Sequence, residues 1–316
     1  MEKLGLLAVV GPTASGKTAL AIALAHRLGG EIVSCDSMQV YCGMDVGTAK
    51  PSEAERDGIV HHLIDVARAD EPFSVAEYVV LARRAIEQIH ARGHLPILCG
   101  GTGLYLDALL RGGFEETEGD PERRQALLDY ASVHGAHALH ERLRAVDPES
   151  ADAIHENNVK RVARALEIYE STGMTKTESD RRSRMQASPF DATVIGLHYP
   201  DREVLYERIA RRVEAMLADG LLDETARLET AGVFEKNSTA AQAIGYKELL
   251  PHLRGEESLK TATDRLITAT RHYAKRQMTW FRAKEYVRPL CMTDGNGRVR
   301  PLSDVTEEAI RMLADR

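Results

Sequence analysis

Residues 11–18 read Gly-Pro-Thr-Ala-Ser-Gly-Lys-Thr, the Gly-x-x-x-x-Gly-Lys-Thr spacing of a phosphate-binding loop. Gly11 and Gly16 let the backbone curl round an anion without a Cβ in the way. The amides of Pro12-flanked Thr13, Ala14 and Ser15, with the start of the following helix, then point at phosphate oxygens. Lys17 adds a point charge, and the Thr18 hydroxyl is a candidate ligand for Mg²⁺. The spacing therefore predicts a polyphosphate ligand. A second candidate is Asp36, which opens Asp-Ser-Met-Gln-Val-Tyr after a short apolar run. In a parallel sheet, a residue just past a neighbouring strand sits beside the phosphates. An ordinary capping or turn aspartate is the alternative. Thr102, in Gly-Gly-Thr-Gly, is either a second polar group of the site or the cap of a helix from Leu104.

These residues need strands and helices to hold them. The runs at 6–10, 31–35, 95–99 and 193–197 read as buried strands, and 18–25 as a helix packed on a sheet. Residues 61–66 suggest another short strand. Ser52-x-x-Glu55 and Ser74-x-x-Glu77 are capping boxes, the second opening an amphipathic helix to about residue 92. The alternation predicts an α/β fold, a parallel sheet flanked by helices in the P-loop style. The strand at 95–99 ends in Gly-Gly-Thr-Gly rather than the Mg²⁺-holding aspartate of most P-loop NTPases. No Asn-Lys-x-Asp occurs. The loop is thus expected to hold a phosphorylated substrate in an arrangement other than that of a standard ATPase or GTPase.

From about residue 115 the texture is polar, then helical to about 185, before the strand at 193. This predicts an all-helical insertion, residues 115–190, in a core of residues 1–114 and 191–316. Within it, a helix at 158–169 carries Lys160, Arg161 and Arg164 beside an apolar stripe. Lys176, Arg181, Arg182 and Arg184 follow in a stretch that reads as a loop. A solvated charged face and a set of phosphate contacts are both open readings of these cations. His134, His137 and His140 have helical spacing but no carboxylates in register, so a solvated face is expected over a metal site. A helix from 202 carries Arg208, Arg211 and Arg212. A long one at 263–284 is rich in Lys and Arg, with Tyr273 and Trp280 expected in the core.

Composition narrows the class. The chain has 316 residues and a net charge of −7, which argues against nonspecific nucleic-acid binding by the whole surface but not against a local basic groove. No apolar run is long enough to span a membrane, and the first residues do not form a signal peptide. Cys35, Cys42, Cys99 and Cys291 show no Cys-x-x-Cys spacing. A reducing cytoplasm, no membrane partner and a monomer are expected.

The motifs together outrun these general arguments. Gly-Pro-Thr-Ala-Ser-Gly-Lys-Thr, the Asp36–Tyr41 stretch, Gly-Met-Asp-Val-Gly-Thr-Ala-Lys-Pro at 43–51 and Gly-Gly-Thr-Gly-Leu-Tyr at 100–105 resemble the tRNA dimethylallyltransferase family of bacterial type. So do residues 157–173, 240–248 and 270–277. The resemblance implies transfer of a five-carbon allyl group from dimethylallyl diphosphate to N6 of an adenosine. That adenosine lies 3′ of the anticodon in tRNAs reading U-initial codons. It implies that residues 11–18 cradle the donor's diphosphate with Mg²⁺ and that Arg212 joins them. Asp36 would be the general base, and the insertion would clasp the anticodon stem-loop. Asp36, Ser37, Met38, Gln39 and Thr102 match positions that meet the flipped nucleotide. Arg124, Lys160, Arg161, Arg164, Gln242, Gly245, Tyr246 and Lys247 match positions that contact tRNA. The competing readings are a prenyltransferase acting on free AMP or ATP, a P-loop small-molecule kinase, and an RNA-binding protein with a vestigial loop.

Overall fold

The structure, a computed structural model, describes residues 3–111, 120–185 and 187–314. The chain divides into two compact units, Met1–Leu110 with Phe190–Arg316, and Arg111–Pro189.

The first unit is built on a six-stranded sheet, β1 (Leu4–Val10), β2 (Gly30–Cys35), β3 (His61–His62), β4 (Leu95–Gly100), β5 (Phe190–His198) and β6 (Val287–Cys291). Their order is β3-β2-β4-β1-β5-β6, and every pairing is parallel. A parallel sheet is covered on both faces, so its strands are continuous apolar runs rather than alternating ones. Leu7, Val9, Ile97, Ile195 and Leu197 meet Leu20 and Leu24 of helix Lys17–Leu28 in one core. A second core gathers Val40, Tyr41, Val213, Tyr246 and Leu266. β3 is shorter than the run at 61–66 suggests. β6, at the sheet edge, follows a stretch whose composition does not announce it. Both capping boxes form, Ser52 with Glu55 and Ser74 with Glu77.

β1, β2 and β4 end at the same edge, the crevice where ligands of open parallel sheets bind. Glycines let the pieces close there. A Cβ on Gly100 would lie 2.0 Å from the Cys35 carbonyl oxygen, one on Gly101 2.1 Å from Gln277 Nε2, and one on Gly103 2.3 Å from the Trp280 ring. Gly-Gly-Thr-Gly is thus a close-approach device between β4, β2 and helix Leu259–Arg282.

The second unit contains helices Pro121–His134, Ala136–Val146, Pro148–Ala153, Val159–Thr172 and Lys176–Met185. Leu127, Leu139, Leu143, Val162 and Leu166 form its core. The last helix corrects the loop reading of residues 176–184. It opens with Glu178 bonded back to the Thr175 amide, and Lys176 pairs with Asp180 one turn on. Residues 115–119 of the expected linker lie outside the described residues.

Candidate active site

Within the phosphate loop, Gly11, Ala14 and Gly16 have φ of 146°, 61° and 96°. At Gly11 a Cβ would meet the Leu197 carbonyl oxygen at 2.9 Å. The loop's carbonyls are bonded by side chains: Pro12 accepts from Lys17 Nζ at 2.7 Å, Ala14 from Arg208 Nε at 2.8 Å, Ser15 from the Tyr199 hydroxyl at 3.1 Å. Helix Lys17–Leu28 begins at Gly16 with no side-chain cap, so its first amides are left for a ligand. Thr13 N–H donates to Gln277 Oε1 at 2.8 Å, while Gln277 Nε2 donates to the Gly101 carbonyl at 3.0 Å. Gln277, itself buried, therefore clamps the loop to the end of β4.

Beside the loop lies a cleft of about 620 Å³, partly open to solvent. Thr13, Lys17, Thr18, Asp36, Gln39 and Arg212 all line it, joined by Tyr273 and Gln277. Ile32, Pro51 and Ile64 give it an apolar wall, with His61 beside them. Burial pushes Lys17 down to about 8, with the Arg212 charge adding to this and Asp36 opposing it. Burial also lowers the pKa of Arg212, against the pull of Asp36. Two desolvated cations thus face one carboxylate, an arrangement that an anion would relieve.

Asp36 Oδ1 accepts from Met38 N–H at 2.9 Å and Gln39 N–H at 3.4 Å. The carboxylate both caps its own turn and faces the cleft, so the two readings of Asp36 are compatible. Thr102 does not cap a helix with its side chain. Its Oγ1 accepts from Ser37 N–H at 3.1 Å and donates to Ser37 Oγ at 3.4 Å. Tyr273 and Trp280 correct the core reading: Tyr273 lines the cleft and Trp280 is 37% exposed. Gln277 follows Tyr273 by four residues on one helix face, a spacing that points it at the same cleft.

Other candidates separate. Met38 packs against the second core. Tyr246 is fully buried and donates to Glu224 Oε1 at 2.8 Å, so its side chain is not a surface contact. Gly245 N–H donates to Glu248 Oε2, whereas Gln242 is exposed and Lys247 half-buried beside Glu248. Arg208 serves the loop, while Arg211 points to solvent beside Glu207. In the helical unit, Lys160 and Arg161 are exposed. Arg124 and Arg164 instead pair with Glu167, Arg124 Nε at 2.7 Å and Arg164 NH1 at 2.6 Å. Glu167 is wholly buried, so its charge needs those partners. Burial pushes the Glu167 pKa up, but the Arg124 hydrogen bond and the Arg164 charge outweigh it and hold it low. His137 pairs with Glu156 and His140 bonds the Ala151 and Ile154 carbonyls. No group of three or more possible metal-binding side chains occurs among the described residues.

Known proteins carry the same framework. The family model for IPP transferase matches residues 39–284. The tRNA dimethylallyltransferase of Geobacillus thermodenitrificans is 49% identical over 290 residues, 92% of this chain and 91% of that protein. Its counterpart from Thermoanaerobacter sp. is 45% identical over 285 residues, 90% of each. The full-length tRNA isopentenylpyrophosphate transferase of Bacillus halodurans superposes with a TM-score of 0.70 at 42% identity, covering 99% of this chain and 98% of that one. A eukaryotic dimethylallyltransferase acting on tRNA gives 0.84 at 31% identity, covering 98% and 79%. An uncapped phosphate loop, a facing carboxylate and likeness along nearly the whole chain agree: the chain belongs to the IPP transferase family.

Proposed function

We propose that this protein transfers a dimethylallyl group from dimethylallyl diphosphate to N6 of the adenosine 3′-adjacent to the anticodon in tRNAs reading U-initial codons. It releases diphosphate and works as a cytoplasmic monomer. The observation that carries the reading is the meeting of Asp36 with Lys17, Thr18 and Arg212 around one cleft that also has an apolar wall. Such a cleft suits a ligand with a charged diphosphate head and a short hydrocarbon tail. The relatives named above act on tRNA.

The adenine amine is a weak nucleophile, because its lone pair is delocalised into the ring. As that pair forms the new bond to the allyl carbon, the carbon–oxygen bond breaks and its electrons leave with diphosphate. Asp36 accepts the amine proton and orients the base. Lys17, Arg212 and the amides of Gly16 and Thr18 stabilise the charge that grows on the leaving group. A base inside a stacked loop cannot reach this cleft, so it is flipped out. Thr18 lines the cleft, and its hydroxyl would be the protein oxygen that holds Mg²⁺. Magnesium, when bound, offsets diphosphate charge. On the helical unit, exposed Lys160 and Arg161 contact RNA phosphate.

The test is to incubate the protein with the donor and either an anticodon stem-loop or AMP, and to analyse the products by mass spectrometry. The reading expects one C₅H₈ unit on the adenosine of the stem-loop, with far poorer use of AMP. Preference for AMP, or ATP turnover without donor, would contradict it.

A further inference from the structure

Glu224, on helix Leu221–Thr230, is 2% exposed and does not line the cleft, yet three of the four hydrogen bonds it accepts come from one loop. Its Oε2 accepts from the amides of Asp45 and Val46, each at 2.9 Å, and its Oε1 from the Gly47 amide at 2.9 Å and the Tyr246 hydroxyl at 2.8 Å. Gly47 lies so close to Tyr246 that a Cβ there would sit 2.4 Å from the ring. The loop runs on into Thr48 and Ala49, whose carbonyls accept from Gln39 Nε2 at 3.3 and 3.2 Å. Gln39 Oε1 in turn accepts from Ser34 Oγ at 3.0 Å, and the Gln39 amide donates to Asp36 Oδ1 at 3.4 Å.

We infer that Glu224 is a positioning residue for Asp36, acting through residues 45–49 and the Gln39 side chain; this rests on the function proposed above. A carboxylate that takes up three successive amides holds a loop in one conformation, because any other would give up hydrogen bonds to a charged acceptor. The two carbonyls that fix the Gln39 amide group are part of that conformation. With the Gln39 side chain so fixed, the Gln39 backbone N–H, together with that of Met38, holds one oxygen of Asp36 in the turn and leaves the other to the cleft. The donor's phosphates are served by other groups, from residues 11–18 and Arg212. Glu224 therefore governs the acceptor half of the reaction and not the donor half.

The closing experiment compares wild type, Glu224→Gln, Gln39→Ala and the double variant, in the full chain. Glu224→Gln keeps the size of the side chain but turns an amide group toward backbone N–H donors. The expected result is a kcat about 10–10²-fold lower for the stem-loop, as for other displaced catalytic groups, with the Kd for dimethylallyl diphosphate unchanged. In the Gln39→Ala background Glu224→Gln costs little more, since both act through one route. Tyr246→Phe, which removes one of the four partners, lowers kcat by less and again spares donor affinity. Additive losses in the double variant, or a fall in donor affinity parallel to that in kcat, overturn the inference. Wild-type transfer with a fully active Glu224→Gln protein overturns it alone. A wild type that transfers nothing overturns the function, and the inference with it.

Discussion

Lys17 holds its ammonium in a setting that disfavours charge, burial above all, and its pKa falls to about 8. The free protein is thus charged at this position only below about pH 8, while a bound diphosphate requires the charge. Above that pH the donor must draw a proton onto Lys17 as it binds. Affinity for dimethylallyl diphosphate is expected to fall by up to about tenfold per pH unit above 8, with proton uptake in calorimetry using buffers of different ionisation enthalpy. Constant affinity from neutral to alkaline pH would contradict this. Asp36 allows a cleaner division of labour than a simple deletion. Asparagine retains the oxygen that accepts from the Met38 and Gln39 amides but cannot take a proton, so Asp36→Asn is expected to lower kcat by about 10²–10⁴-fold with stem-loop affinity unchanged. An unaltered kcat in steady-state assays would remove Asp36 from proton transfer.

Among elements, helix Leu259–Arg282 carries the group that bridges the site. Gln277 bonds both the Thr13 amide and the Gly101 carbonyl, so Gln277→Ala releases two polar groups that the loop needs ordered. The expected effect is about tenfold weaker donor binding, on the scale of one or two lost hydrogen bonds, with stem-loop affinity unchanged by direct titration. In the helical unit, Arg161 and Arg124 are expected to have opposite duties. Arg161 is exposed, and Arg161→Ala is expected to weaken stem-loop binding and reduce its log–log salt slope by about 0.7. Arg124→Ala should leave that slope unchanged and instead destabilise the protein by about 1–3 kcal/mol in denaturant titration, because Glu167 keeps only part of its compensation. The same slope for both variants would show that the division is wrong. Their sequence context does not separate them: both are cations on helical faces, and only the fold reveals that Arg124 is paired with a buried Glu167.

Across the whole molecule, what was legible followed how local the cause was. The phosphate loop, its flanking strand and helix, and the two capping boxes depend on neighbours within a few residues, and pattern alone reveals them. The approach of Arg212 and Gln277 to that loop depends on contacts hundreds of residues apart, and it follows from the packing of their helices on the sheet. Gly-Gly-Thr-Gly reads locally as a helix entry, while its glycines serve three different close contacts. Tyr273 and Trp280 have core-like types and spacing, yet one lines the cleft and the other remains accessible. The most direct test of the account is a crystal structure with a non-reactive thiolo analogue of dimethylallyl diphosphate. The expected result is the diphosphate against residues 11–18 within reach of Lys17 and Arg212, and the allyl carbon turned toward Asp36. A diphosphate bound in another cavity, with that loop empty, would contradict it.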